Sequence, residues 1–333
     1  MYATGNKKML NMLVLEILRE YSDQEHRLKQ QEIVRLLKSN YDMDCDRRSV
    51  KNNVMYLKEL GYEIFMEGGY YLSEKEFEDA ELRMLIDSVL FSRSLTQKQA
   101  KTLIEKLKGM SNKYFSTKVK HVSNLPELYH GDNKQLMYVV DTINEAISQH
   151  KKISFVYNRY GSDFKLHPKR EEKYIVNPYQ MVTNKGFYYL IGNYDKYDNI
   201  SHYRLDKMTC VEMLAEKVKP QNQVTGLEQG LDLPKHMAEH IYMFGGESVA
   251  INVIVDENII SELVDWFGKD FYVIGKRRNN QVLIRVKCNE QAFFYWALQY
   301  GPYVEVLEPV SLRSRIAETV REMNEKYHRN VHS

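Results

Sequence analysis

No stretch of about 18 apolar residues, the length that spans a bilayer, occurs in the 333 residues. No membrane partner is expected. Residues 1–20 also lack the basic start, apolar run and small-residue cleavage site of a signal peptide, so a soluble cytoplasmic protein is expected. Cysteine is scarce: Cys45, Cys210 and Cys288 are far apart and lack CxxC or Cys/His spacing, which argues against disulfides and zinc. No metal or cofactor is expected. A Gly-rich phosphate loop, a GxSxG elbow and a suggestive carboxylate pair are missing too, and the ten histidines are read as holding no HxxxH-type pair. Catalysis is disfavoured, and no catalytic residue is assigned.

A large net charge is also absent, the formal value being +2. Charge is nevertheless unevenly placed. Residues 1–72 and 73–150 each balance at 11 Lys and Arg against 11 Asp and Glu. Residues 151–209 carry 11 against 6, whereas 210–310 carry 9 against 14. The cationic surplus therefore sits mid-chain, where it would suit a phosphate-bearing partner. A chain of this length, 43% hydrophobic, can bury two or three cores.

What is present begins with helical periodicity. Leu10, Leu13, Val14, Ile17, Leu18 and Tyr21 form one face, and Ile33, Val34, Leu36, Leu37 and Tyr41 a second. A third helix starts after Asp46, a good N-cap, buries Val50, Val54, Leu57 and Leu60, and stops at Gly61. Tyr62, Ile64 and Met66 then alternate up to Gly68-Gly69, with Tyr70-Tyr71-Leu72 beyond as the second strand of a hairpin. Three helices and a wing make a winged helix-turn-helix over residues 1–73. On the third helix Arg47, Arg48, Ser49, Lys51, Asn52 and Asn53 are candidates for double-stranded DNA, since Arg and Asn read base edges while Lys and Ser suit phosphates. Asp46-Arg47-Arg48-Ser49-Val50, with Leu57, Leu60 and Gly61, resembles the recognition helix of winged-helix repressors that open D-R-R-T-I. Asn52-Asn53 departs from the Arg-Asp pair common there.

Residues 74–150 read as a helical connector, with Leu82, Leu85, Ile86, Val89 and Leu90 on one face and Leu103, Leu107 and Met110 on another. Tyr114 to Asp132 is expected to be a loop, and Met137, Val140, Ile143 and Ile147 mark a further helix. From Lys151 the period becomes strand-like. Ile153, Phe155 and Tyr157 alternate, then come Lys173 to Val182 and Gly186 to Tyr194, so a small β-barrel is expected over 151–212. The segments Asn177-Pro178-Tyr179, Tyr188-Tyr189-Leu190 and Arg204-Leu205-Asp206-Lys207 resemble the WYL family, with Tyr188 in place of its tryptophan and Lys207 in place of its last arginine.

Strand parity puts Tyr188, Leu190, Tyr203 and Leu205 in the core and Tyr189, His202, Arg204 and Asp206 outside, with Ser154 also outward. Ser154, Tyr189, His202 and Arg204 are therefore the candidate effector site, a base stacking on Tyr and a phosphate held by Arg, with Lys185 as a further phosphate contact. The resemblance implies an Sm-like barrel that binds a nucleotide or single-stranded nucleic-acid effector and signals to a DNA-binding domain. After a linker at 213–247, the order strand, helix, strand, strand, helix, strand over 248–333 predicts a ferredoxin-like domain resembling the extension that trails WYL domains. The whole is expected to be an α+β multidomain homodimeric bacterial transcription regulator. Alternatives are an accessory protein that binds nucleic acid, or a nucleotide-processing enzyme.

Overall fold

In the computed structural model the described residues are 7–73, 75–118, 133–276 and 279–328. They fall into two compact units, 1–132 and 133–333. In the first unit, α1 (Leu10–Tyr21), α2 (Gln30–Tyr41) and α3 (Arg47–Glu59) precede a hairpin of β1 (Ile64–Phe65) and β2 (Tyr71–Leu72). Val14, Ile17, Leu18, Ile33, Leu37, Val50 and Val54 are fully buried together, the facing stripes of the three helices. Asp46 caps α3 by accepting the Ser49 N–H at 2.6 Å. Leu60 was expected inside but is 72% exposed, because α3 ends at Glu59 and the chain turns at Gly61, whose φ is +102°.

The hairpin pairs Ile64 with Leu72 and Phe65 with Tyr71, and Leu28 bridges to Tyr70 as a third short rung. Among the described residues three more helices follow in this unit: α4 (Asp79–Leu90), α5 (Gln97–Lys108) and α6 (Lys113–Lys118). Leu82, Ile86, Ile104 and Phe115 form their core. Leu85 and Met110, assigned to apolar faces from their spacing, are exposed, and the buried side of α5 runs through Ala100 and Ile104. Of the loop expected from Tyr114, residues 114–118 are helical, and 119–132 lie outside the described residues. Asn112 ties this helical layer to α1 and the turn after it, its Nδ2 donating to the Ser22 carbonyl at 3.3 Å and to Asp23 Oδ2 at 3.0 Å.

The second unit opens with α7 (Leu136–Ser148). This helix was assigned to the connector, but it packs on the strands that follow through Leu136, Val139, Ile143 and Ala146. Only Ile143 belongs to the face anticipated from spacing; Met137 is 40% exposed. The strands are β3 (Lys151–Tyr160), β4 (Leu166–Pro168), β5 (Tyr174–Asn184), β6 (Phe187–Tyr194), β7 (Ile200–Arg204) and β8 (Met208–Lys217). They run β4-β3-β5-β6-β7, with β8 also paired to β3, every pair antiparallel. A 3-10 turn, Leu205–Lys207, separates β7 from β8. In place of strand pairing at the β7 edge, Tyr157 Oη on β3 accepts the Arg204 N–H at 3.1 Å.

Residues 213–247 do not form a loose linker. β8 continues to Lys217, α8 (Leu233–Glu239) follows, and Val224, Leu227 and Met243 are buried on the sheet beside Tyr179, Val182, Ile191 and Ile200. The rest is β9 (Ser248–Asp256), α9 (Ile260–Phe267), β10 (Phe271–Lys276), β11 (Gln281–Asn289), α10 (Glu290–Gln299), β12 (Val304–Glu308) and α11 (Val310–His328). The sheet order is β10-β11-β9-β12, all antiparallel. Phe293, Phe294 and Trp296 lie in its core, and Tyr295 points out at 49% exposure.

Candidate nucleic-acid interface and effector site

On α3, Arg47, Arg48, Lys51 and Asn52 are exposed, and no acidic residue interrupts Arg47 to Lys58. Three of the six candidates are already engaged. Asn53 is half-buried and its Nδ2 donates to the Ser49 carbonyl at 2.7 Å, while Ser49 gives its backbone N–H to the Asp46 cap. Arg47 donates to Gln31 Oε1 at 3.1 Å, which steadies it at the helix start. Arg48, Lys51 and Asn52 remain as the freest outward groups of the turn.

The structure brings together only part of the five-residue effector set. Tyr189 and Arg204 are direct cross-strand partners on β6 and β7. The Arg204 guanidinium lies 3.4 Å from the Phe187 ring centre and forms a two-pronged ion pair with Asp206, at 3.0 and 2.7 Å. Burial opposes the charge on Arg204, but Asp206 more than offsets it and raises the pKa. Asp206 was placed outside by strand parity; it is buried because the strand ends at Arg204 and the 3-10 turn swings the carboxylate back. Tyr188, assigned to the core, is 39% exposed, since it pairs near the hairpin end with exposed Thr183.

Ser154, expected outward, is buried at 6% and sits between Ile175 and Glu212. Lys185 goes elsewhere. It occupies the β5–β6 turn at φ +51°, its ammonium 2.9 Å from the Trp266 ring centre and 4.7 Å from that of Tyr242. Burial there lowers its pKa. His202 shares the face of Arg204 but is covered by α8, its Nε2 lying 2.8 Å from that of His236. The His202, His236 and His240 rings are 4.3 to 5.0 Å apart. Contrary to the expectation of no HxxxH-type pair, His236 and His240 form one at the end of α8, and this i, i+4 spacing is the sequence signal that reveals the cluster. His240 Nδ1 lies 3.1 Å from the Phe244 carbonyl. Burial first, then the neighbouring rings, pushes His202 well below its usual range and His236 down to about 3. Among the described residues no group of three or more His, Cys, Asp or Glu is disposed to hold a metal.

Asn177 is structural in its contacts. Its Nδ2 donates to Asn193 Oδ1 at 2.9 Å and Asp195 Oδ1 at 3.1 Å, and its Oδ1 accepts the Lys219 N–H at 2.8 Å. Gly192 allows β6 to approach, since a Cβ there would fall 2.7 Å from the Asn177 carbonyl.

A six-strand antiparallel sheet with a 3-10 turn before its last strand, followed by a βαββαβ unit, defines the class. The WYL domain model matches residues 138–213 and the WCX domain model residues 247–323. An uncharacterized HTH-type transcriptional regulator, YobV of Bacillus subtilis (strain 168), is 22% identical over 188 residues, 56% of this chain and 55% of that protein. By these matches the chain carries a WYL domain and a WCX domain and is similar to an HTH-type transcriptional regulator. Two solved structures show more distant likeness. Proteasome accessory factor B/C of Arthrobacter aurescens has 13% identity and a TM-score of 0.31, over 98% of this chain and 50% of that one. A CRISPR Cas-related protein has 15% identity and a TM-score of 0.40, over 78% and 76%. The chain thus spans about half the length of the first relative and of the first structure. At such TM-scores neither structure bears on its function.

Proposed function

We propose that the protein is a ligand-responsive DNA-binding transcription regulator acting in the cytoplasm. Its first 73 residues form a winged helix whose α3 enters the major groove, with Arg48 and Asn52 toward base edges and Arg47 and Lys51 toward phosphates. Ser49 and Asn53 hold the first turn. The exposed, acid-free cationic face of α3 carries this reading. The Sm-like barrel takes a nucleotide or single-stranded nucleic-acid effector on the face of Phe187, Tyr189 and Arg204, where a phosphate competes with Asp206 for the guanidinium. As a homodimer, with its ferredoxin-like domain behind the barrel, it presents two α3 helices to half-sites of a near-palindrome. The effector then shifts the population that matches their spacing.

Fluorescence anisotropy with operator DNA over a salt series tests the DNA-reading step. Arg48→Ala is expected to weaken binding about tenfold, and Lys51→Ala to weaken it less while flattening the salt slope by about one. Parent-like binding by both variants at matched salt would remove the assignment of α3.

A further inference from the structure

The cationic surplus of residues 151–209 does not gather at Arg204. Lys152, Lys173 and Arg204 are ion-paired, Arg170 lies over the Tyr174 ring, and Lys185 lies over Trp266. Arg159, Lys165 and Lys169 are exposed instead, and among the described residues none of these three has an ion-pair partner.

All three stand on one ribbon, in which β3 pairs with the edge strand β4. Its rungs join Asn158 to Pro168, Arg159 to His167 and Tyr160 to Leu166. Backbone bonds extend it at both ends, the Lys169 N–H donating to the Tyr157 carbonyl at 2.8 Å and the Gly161 N–H to the Lys165 carbonyl at 3.0 Å. Alternation along this register puts Arg159, Lys165, His167 and Lys169 on one face. The carboxylate at the tip, Asp163, is already taken, accepting from His167 Nε2 at 2.9 Å and from the Lys165 N–H at 3.1 Å. Glu171 and Glu172 follow in the bend beyond the last rung.

The tip of the ribbon displays an aromatic ring. The Phe164 N–H donates to the Gly161 carbonyl at 3.1 Å, and a Cβ on Gly161 would fall 2.7 Å from Asp163 Oδ1, so the turn is tightly closed. Phe164 sits there at φ +58° and is 85% exposed. Bulky side chains are disfavoured in this left-handed region, and the ring buries little in its own chain. Neither local conformation nor burial therefore accounts for a phenylalanine beside three unpaired cations. A strand with an anionic backbone and bases whose faces are free matches both features. A duplex matches only the charge, because its bases are stacked on one another.

We propose that the β3–β4 ribbon is a binding surface for single-stranded nucleic acid, with Arg159, Lys165 and Lys169 on its phosphates and the Phe164 ring against a base. The surface rests neither on DNA reading by α3 nor on the Arg204 face. Fluorescence anisotropy of the full chain with a labelled oligothymidylate of about 12 nucleotides tests it. Binding is expected at low salt and should weaken as salt is raised. Phe164→Ser should weaken the oligonucleotide about tenfold without lowering the unfolding temperature, and should leave a duplex of equal length and arbitrary sequence unaffected. Lys165→Gln together with Lys169→Gln should flatten the logarithmic salt slope by about 0.7 for each cation removed. No binding by the parent, an affinity and salt slope unchanged in the ribbon variants, or equal losses of single strand and duplex on Phe164→Ser would each overturn the proposal. Polyglutamate competing as well as unlabelled oligothymidylate would overturn it too, and would make the partner an acidic polypeptide.

Discussion

Arg204 shows how one side chain can hold two readings at once. Its guanidinium is the natural phosphate ligand of the outer barrel face, yet it is already engaged by Asp206, whose side chain is 2% exposed. Removing the arginine would strand a buried carboxylate, and the cost of that exceeds the value of the pair itself. Arg204→Ala is therefore expected to destabilise the second unit by about 3 kcal/mol, whereas Arg204→Ala with Asp206→Ala should recover much of the loss. Chemical denaturation of the single and double variants checks this. Equal stability of Arg204→Ala and the parent would show that Asp206 has another partner. The pairing itself was open to view in the sequence, where Asp206 stands two residues from Arg204. What parity could not show was that the strand ends at Arg204, so the same rule that placed Tyr189 and Arg204 on one face misplaced Asp206.

Elements were legible wherever one face is buried over several turns. The three helices and wing, and the strand-helix order after residue 248, follow from regular apolar spacing. Where burial comes from scattered residues the pattern failed. Val224, Leu227 and Met243 cover the sheet from an irregular segment that reads as a linker, and α7 buries the face of Leu136 and Val139 instead of that of Met137 and Val140. His202 meets His236 only because α8 folds back across 34 residues. The wing offers a test at this scale. Gly69 has φ +137°, and a Cβ there would lie 2.9 Å from Arg27 Cβ and 3.3 Å from its carbonyl carbon. Gly69→Ala is expected to cost about 1–3 kcal/mol of stability. Gly68→Asn, at φ +71° and with 3.6 Å to the nearest atom, should be much milder. Comparison of the two by thermal unfolding would decide whether the tight approach to Arg27 sets the wing; equal losses would deny it.

At the scale of the whole molecule, the two units should respond differently to acid. The second unit buries His202, His236 and His240, with all three pKa values lowered, chiefly by burial. Glu239 and Lys287, ion-paired at 3.1 Å, also face His240, and their opposite charges act on it in opposite directions. In the unfolded chain these rings titrate near their ordinary value of 6.5, so between about 3 and 6.5 the unfolded chain binds more protons than the folded unit. Stability of the second unit must then fall as pH drops through that window, and it is fully present above it. The first unit has no comparable cluster among its described residues. Its lowered groups are carboxylates, Asp23 and Asp46, whose contribution is lost only at lower pH, as the solution approaches and passes below their ordinary value of 3.8. Lowering the pH from 7 to about 5 should therefore lower the melting transition of the second unit more than that of the first. His236→Leu should flatten the pH dependence of the second transition by removing one proton acceptor and the charge repulsion it brings to its neighbours. Calorimetry of the full chain and of this variant across that range reads both transitions. An unchanged slope in the variant would show that the histidines are not what makes the second unit sensitive to acid.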